Sequence, residues 1–114
     1  MIDCKICKSH LEGTHQEYSH WIVREGEKIP GYFYLEAKNH VESYSELSES
    51  AWIEFGKILS EYSQIVISNH KPIKLYTVSI AEAVPHLHFH LVPRYIDEPK
   101  GLDYLQLAVT GKIP

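Results

Sequence analysis

The chain of 114 residues contains the stretch His86-Leu87-His88-Phe89-His90-Leu91-Val92, in which histidine alternates with apolar residues. Side chains of a β-strand point alternately to its two faces. The pattern therefore predicts a strand over residues 86–92, ended by Pro93, which cannot continue a ladder in the middle of a sheet. The apolar face is expected to lie in the core, and the three imidazoles are expected to project together from the other face.

Three imidazoles on one face suit phosphate chemistry near neutral pH. A histidine ring can be neutral and nucleophilic, or cationic and hydrogen-bond donating, within a narrow pH range. One ring can attack phosphorus and hold a covalent intermediate, while its neighbours donate hydrogen bonds to phosphate oxygens. Two of the three rings can instead chelate a metal ion, because strand residues i and i+2 lie close together. The stretch thus predicts phosphate chemistry, with a pure metal site as the alternative.

Further strands are predicted on both sides of one long helix. Residues 20–24 and 32–36 have the β-branched and aromatic composition of strands, and residues 75–80 read as another. The order is strand, strand, helix, strand, strand, which indicates an α+β fold with a mostly antiparallel sheet and the helix on one face. Apart from two cysteines, the first 18 residues are expected to be irregular. The length fits a single domain over residues 1–114.

The long helix is the clearest predicted element. Ser45 or Ser48 can cap its start, since a serine oxygen accepts the free N–H groups of the first turn. Residues 69–72 are expected to end it. Within the helix, apolar residues recur at steps of three and four. This spacing places them on one face, which we expect to pack in the core. These residues are Trp52, Phe55, Leu59, Tyr62 and Val66.

Composition limits the classes of partner. There are 11 lysines and arginines against 15 aspartates and glutamates, a formal net charge of -4. Such a balance argues against capture of long nucleic acid, which favours a basic surface, and leaves a small nucleotide possible. No stretch has the apolar length of a membrane span, and the N-terminus lacks the apolar core of a signal peptide. We expect a cytoplasmic protein with no membrane partner.

Two cysteines, Cys4 and Cys7, lie two residues apart. In a reducing compartment this spacing favours metal binding or redox chemistry over a structural disulfide. Two thiolates can chelate one ion, and a structural zinc needs two further ligands, commonly histidine. One local completion uses His10, since Cys7-x-x-His10 repeats the chelating spacing, with His15 or His20 as the fourth ligand. Two unpaired or disulfide-linked cysteines are the remaining alternative.

The run VPHLHFHLVPR, residues 84–94, resembles the signature of the histidine-triad nucleotide-binding family. The Cys-x-x-Cys pair, the strand running into Lys38-Asn39-His40 and the long helix are similar, in order, to the family's zinc-binding bacterial members. The resemblance covers nearly the whole chain. It implies a histidine-triad fold and a homodimer with a shared sheet, for which the aromatic run of residues 32–34 could serve as an interface.

The resemblance also implies a function and the residues that perform it. The family acts on the α-phosphate of dinucleoside polyphosphates or nucleoside phosphoramidates, so the expected ligand is a small nucleotide with a purine base. The middle histidine is the nucleophile, which implies a covalent nucleotidyl intermediate on His88. The third histidine, His90, helps to hold the phosphate. In the zinc-binding members the two cysteines are completed by histidines that correspond here to His40 and His86.

One stretch departs from the family pattern. Family members carry Gly-Gln-Ser/Thr before the histidine strand, in contact with the phosphate, where this chain has Ala81-Glu82-Ala83. Glu82 is expected to oppose the phosphate, to pair with Arg94 or Lys74, or to face solvent. Two alternative functions follow, namely a nucleotide-binding module with little turnover and a small structural zinc protein.

Overall fold

The computed structural model describes residues 4–11 and 15–113. None of the helices in these two ranges is long and apolar enough to cross a membrane. The elements in chain order are α1 (Lys5–Leu11), β1 (Gln16–Glu17), β2 (Trp21–Glu25), β3 (Phe33–Ala37), a 3-10 turn (Tyr44–Glu46), α2 (Glu49–His70), β4 (Lys74–Val78), β5 (His88–Arg94) and α3 (Gly101–Val109).

The five strands form one sheet in the order β1-β2-β3-β5-β4, and all neighbouring strands are antiparallel. The predicted α+β fold with an antiparallel sheet and one long helix is confirmed. In the centre of the sheet, Glu36 of β3 lies opposite His88 of β5, and Tyr34 lies opposite His90. This register places the histidines beside the side chains of β3 that point to the same face.

The helix α2 covers one face of the sheet and builds the main core. The predicted helical stripe is confirmed, because Val66 lies in this core and the other four stripe residues pack against it. The predicted apolar face of the histidine strand is confirmed as well, since Leu87, Phe89 and Leu91 pack in the same cluster. Trp21 of β2 is fully buried there, and its indole N–H donates to the carbonyl oxygen of Ala51 at 2.7 Å.

Local signals set both ends of α2. The Ser48 side chain accepts a hydrogen bond from the Ala51 N–H, so the second of the two predicted caps is the one used. At the other end Lys71 adopts the left-handed conformation, with φ of 49°, and its N–H bonds to the carbonyl of Ile67. The helix therefore ends within the predicted range of residues 69–72.

The helix α3 covers part of the opposite face, where Tyr32, Val92, Tyr104 and Ala108 form a second core cluster. The sequence analysis did not predict α3, although its apolar residues have helical spacing. The expectation that the first 18 residues are irregular is wrong for α1 and for the short strand β1, and residues 1–3 and 12–14 of this stretch lie outside the described ranges. That helix is only seven residues long, too short to be stable alone, and its contacts with the sheet come from distant residues.

The prediction for the histidine strand needs two corrections. The paired strand β5 begins at His88, and His86 lies before it, although the carbonyl of Leu87 still accepts from the Ala37 N–H. Pro93 lies within β5 and does not end it. β3 pairs with β5 only as far as Leu91, so Pro93 has β4 as its single strand neighbour. A missing N–H is tolerated at such a position.

The aromatic run at the start of β3 is internal. Tyr32 is 4% exposed in the α3 cluster, and Tyr34 packs against that cluster. Phe33 points to the other face and packs against the α2 core. These side chains pack within one chain, so the structure adds no support to the suggestion that residues 32–34 form an interface.

Candidate functional site

Four side chains converge where α1 meets the start of the histidine strand. They are Cys4, Cys7, His40 and His86, and their ligating atoms all lie within 4.8 Å of one another. The Nδ1 of His86 is 3.3 Å from the Cys4 Sγ and 3.4 Å from the Cys7 Sγ. The Nδ1 of His40 is also 3.4 Å from the Cys7 Sγ. The structure thus brings together the residues that the family resemblance implied.

The donor set fits a tetrahedral zinc ion. Zinc bonds of roughly 2.0–2.3 Å place neighbouring ligand atoms roughly 3.3–3.8 Å apart, which agrees with the sulfur–nitrogen distances. The Nε2–H of the buried His86 donates to the carbonyl of Ala37 at 2.6 Å. That bond leaves Nδ1 unprotonated and aimed at the two sulfurs, the arrangement in which an outer hydrogen bond orients a metal-binding imidazole. Burial is the main reason that the pKa of His86 lies below its usual value.

The alternative metal site, in which His10 and either His15 or His20 would complete the two cysteines, is not formed in the described residues. The Nε2 of His10 lies 2.9 Å from a carboxylate oxygen of Glu36, and the ring of His10 stands edge-on to His86. Within the two described ranges, the cluster of potential metal ligands includes neither His10 nor His15 nor His20. His10 is instead part of a separate polar network.

His88 has one ring nitrogen fixed by the backbone. Its Nδ1 lies 2.6 Å from the carbonyl oxygen of His86. A carbonyl only accepts, so Nδ1 must carry the proton and donate, and in the neutral ring the lone pair is then on Nε2. The side chain is half-buried. The local backbone therefore presents His88 in the tautomer that can attack with Nε2.

His90 lies beside His88 in an aromatic setting. The two ring centroids are 5.1 Å apart. The Nδ1 of His90 is 2.6 Å from the Tyr32 hydroxyl, and the ring of Tyr34 meets it edge to face at 5.3 Å. Burial, with a smaller contribution from His88, lowers the pKa of His90 to about 4. His90 is therefore neutral at physiological pH.

A charged network that the sequence analysis did not identify lies next to the histidines. The carboxylate of Glu36 is fully buried and accepts two hydrogen bonds from Arg24, at 2.9 and 2.7 Å, in addition to its contact with His10. Burial by itself would raise the pKa of Glu36, but the hydrogen bonds from His10 and Arg24 hold it below its usual value. The sequence feature that could have revealed this network is Glu36, a charged residue at the end of an otherwise apolar predicted strand.

A cavity of about 450 Å³ lies on the same side of the sheet, between residues 24–29 and the C-terminal end of α3. Tyr32 and Tyr34, which both contact His90, form part of its wall. The guanidinium of Arg24 lies over the ring of Tyr34, 4.9 Å from its centroid. The cavity thus has an aromatic wall, and two of the residues that line it also contact His90.

The loop before the histidines contains one residue with an unusual backbone conformation. Ala81 has a φ of 55°, in the left-handed region that favours glycine. Glu82 is exposed, and among the described residues it forms no ion pair. The suggested pairing with Arg94 is wrong, because that guanidinium is buried and bonds to Tyr76 and to two backbone carbonyls. Ser79 donates to the carbonyl of His88 at 2.6 Å and supplies a hydroxyl nearby.

Neither a protein-family model nor a curated protein matches the sequence. Solved structures do match the fold. One is a member of the HIT family from Bacillus subtilis, with 17% identity, a TM-score of 0.71 and coverage of 98% of each chain. Another is a zinc-bound histidine triad family protein from Mycobacterium smegmatis, with 12% identity, a TM-score of 0.71, and coverage of 89% of this chain and 81% of that one. A third is a histidine triad protein from Bradyrhizobium japonicum, with 16% identity, a TM-score of 0.64 and coverage of 84% of each chain.

These likenesses extend across most of the chain. The chain therefore has the fold of the histidine-triad proteins, and the resemblance seen in the sequence is confirmed at the level of the fold. The cluster of cysteines and histidines is of the kind that binds a metal ion.

Proposed function

We propose that the chain binds a small nucleotide and hydrolyses or transfers its nucleotidyl group through a covalent intermediate on His88. The observation that carries this proposal is the hydrogen bond from Nδ1 of His88 to the carbonyl of His86, which leaves the Nε2 lone pair free. A neutral imidazole with a free nitrogen is a competent nucleophile toward phosphorus. The substrates we propose, which the family resemblance implies, are dinucleoside polyphosphates and nucleoside phosphoramidates.

In the first step Nε2 of His88 attacks the α-phosphorus. An N–P bond forms, and the bond from phosphorus to the leaving group breaks. A polyphosphate leaves as its anion, and an amine leaves with a proton taken from the solvent. The ring becomes cationic, and its Nδ1–H stays on the backbone carbonyl, which stabilises the positive charge. In the second step water attacks phosphorus and gives up a proton to the solvent. The N–P bond breaks, its electron pair returns to Nε2 of His88, and the mononucleotide leaves. His90 holds a phosphate oxygen during both steps.

The cavity beside Tyr34 supports the nucleotide proposal, since about 450 Å³ with an aromatic wall can accommodate a nucleobase, with a purine expected. Zinc in the cluster of Cys4, Cys7, His40 and His86 would brace α1 against the histidine strand. It would keep His86 from acting as a nucleophile, because a metal-bound nitrogen has no lone pair to offer. We further propose a homodimer and a cytoplasmic location.

A second candidate function is nucleotide binding without turnover. Ala81-Glu82-Ala83 supports it, because this run lacks the glutamine and hydroxyl side chains with which the family contacts phosphate. A structural zinc protein without a nucleotide site is the third. Nucleotide binding separates the first two candidates from the third, and turnover separates the first from the second.

The test is turnover of a panel containing an adenosine phosphoramidate and diadenosine polyphosphates. We expect release of the mononucleotide, and His88→Ala should lower turnover by several powers of ten while nucleotide binding persists. His70→Ala, at an exposed histidine at the end of α2, is the matched control and should retain turnover. Near-normal turnover of His88→Ala would refute the assigned role.

A further inference from the structure

The hydroxyl of Tyr32 makes a contact that no step above uses. Tyr32 is 4% exposed, and its oxygen is 2.6 Å from the Nδ1 of His90. Within the described part of the chain, this nitrogen is the hydrogen-bond partner found for that hydroxyl. The Tyr32 ring also packs in the apolar α3 cluster and lies tilted against the ring of Tyr34, with centroids 5.3 Å apart.

The direction of this hydrogen bond decides the state of His90. If the hydroxyl accepted from a protonated Nδ1, its own hydrogen would be buried without a partner, which is costly. If the hydroxyl donates, its hydrogen is paired and Nδ1 is the acceptor. Burial also raises the pKa of the Tyr32 hydroxyl, so it remains protonated and available as a donor.

We propose that Tyr32 is a positioning residue that locks His90 in the neutral tautomer carrying its proton on Nε2. This inference rests on the proposed function for its catalytic meaning, although the lock itself belongs to the folded chain without substrate. With Nδ1 occupied, the Nε2–H of His90 is the group left to donate to a phosphate oxygen.

The two neighbouring histidines then have opposite tautomers. The carbonyl of His86 fixes a free lone pair on Nε2 of His88, and the Tyr32 hydroxyl fixes a proton on Nε2 of His90. One ring can attack, and the other can only donate. The contact between Tyr32 and His90 therefore explains how His88 and His90, whose ring centroids are 5.1 Å apart, can have different roles.

Tyr32→Phe removes the donor and keeps the ring in its packed position. Tyr104→Phe is the matched control, because Tyr104 is a buried tyrosine of the same cluster whose hydroxyl donates to the carbonyl of Pro93 at 2.5 Å. Both variants lose one buried hydroxyl, so both are expected to lose some stability. Only Tyr32→Phe removes a partner of His90.

The first readout needs no substrate. Ring 15N chemical shifts of the unliganded protein, with His90 assigned by comparison with His90→Asn, should show the single Nε2–H tautomer in the wild type and in Tyr104→Phe. Tyr32→Phe should shift the ring nitrogens of His90. A wild-type His90 protonated on Nδ1 overturns the proposal, and so does a Tyr32→Phe spectrum identical to that of the wild type.

The second readout is kinetic. Tyr32→Phe should lower kcat by about tenfold or more and change KM less, because a donor to phosphate matters most as charge develops in the transition state. Tyr104→Phe should keep the wild-type kcat. Equal kcat values for Tyr32→Phe and Tyr104→Phe contradict the positioning role. If the wild type turns over no nucleotide, the proposed function fails while the 15N shifts still test the lock.

Discussion

At the scale of single residues, hydrogen bonds to the backbone and to buried side chains assign the histidines different chemistry. His86 and His88 both interact with carbonyl oxygens, but through opposite ring nitrogens. His86 therefore turns Nδ1 toward the cysteines, while His88 keeps Nε2 for the substrate. The alternating pattern of the sequence predicted a shared face and could not predict this difference, because it depends on which carbonyl each ring reaches.

The buried carboxylate of Glu36 leads to a prediction about stability. Glu36→Gln should destabilise the fold by roughly 2–4 kcal/mol, because Arg24 and His10 lose a buried anionic partner. The matched control is Glu17→Gln, which disrupts the exposed ion pair between Glu17 and Lys38 and should cost less than about 1 kcal/mol. Denaturant unfolding at pH 7 measures both. Equal effects of the two substitutions would contradict the role given to the network.

The same residue has a defined pH dependence. Its folded pKa lies below the ordinary value of 4.5, so its stabilising contribution is present above about pH 4.5 and is lost as pH falls through the folded pKa. The difference in unfolding free energy between wild type and Glu36→Gln should therefore be constant from pH 7 to pH 5 and shrink at lower pH. A difference that stays constant down to pH 3 would show that the carboxylate is not the source of the effect.

At the scale of elements, the sequence predicted what local patterns determine. The apolar stripe of α2 predicted a helix, and the alternation around His88 predicted a strand. The bounds of the four predicted strands differ from those of β2, β3, β4 and β5 by no more than two residues at either end. The helix α1 was missed because its seven residues are held by contacts with Glu36 and His86, which are distant in sequence. The contact between Tyr32 and His90 was missed for the same reason, since it joins residues 58 positions apart.

The attachment of α1 yields a prediction about the metal. Untagged protein purified without added metal should contain about one equivalent of zinc, and a chelator should lower the thermal midpoint, because binding energy of a structural zinc is folding energy. Cys7→Ala should lose the metal and lower stability more than it lowers turnover at a temperature where the variant is folded. Elemental analysis and thermal unfolding measure these outcomes.

The control for the metal site is His10→Ala, since His10 belonged to the rival ligand set. This variant should keep its equivalent of zinc. Any loss of stability is expected to come from the lost contact between His10 and Glu36. Loss of zinc from His10→Ala together with its retention in His40→Ala would favour the local set. Purified protein that contains no bound metal would refute the proposed zinc site.

At the scale of the whole molecule, the free edges of the sheet suggest how two copies would associate. A sheet shared between subunits needs an unpaired edge strand. β1 has two residues and β4 has five, so β4 is the better candidate. Ile73 and Ile80, which flank β4, are 54% and 61% exposed. Exposed apolar side chains beside a free edge favour association there.

Light scattering at low micromolar concentration tests this association, and we expect the mass of two chains. The double substitution Ile73→Lys with Ile80→Lys should shift the protein toward the mass of one chain, because it places like charges along the edge. Leu11→Lys, at an exposed leucine on α1, is the control and should remain dimeric. A wild-type particle with the mass of one chain refutes the dimer.

Trapping of the covalent adduct is the decisive test of whether His88 carries the nucleotidyl group. The protein is mixed with a labelled adenosine phosphoramidate, quenched within the first turnover, digested and analysed by mass spectrometry. We expect one adenylyl group on the peptide containing His88, located on that residue, and no adduct in His88→Ala. Product release without an adduct at any time in the first turnover, or an adduct on His90, would refute this role of His88.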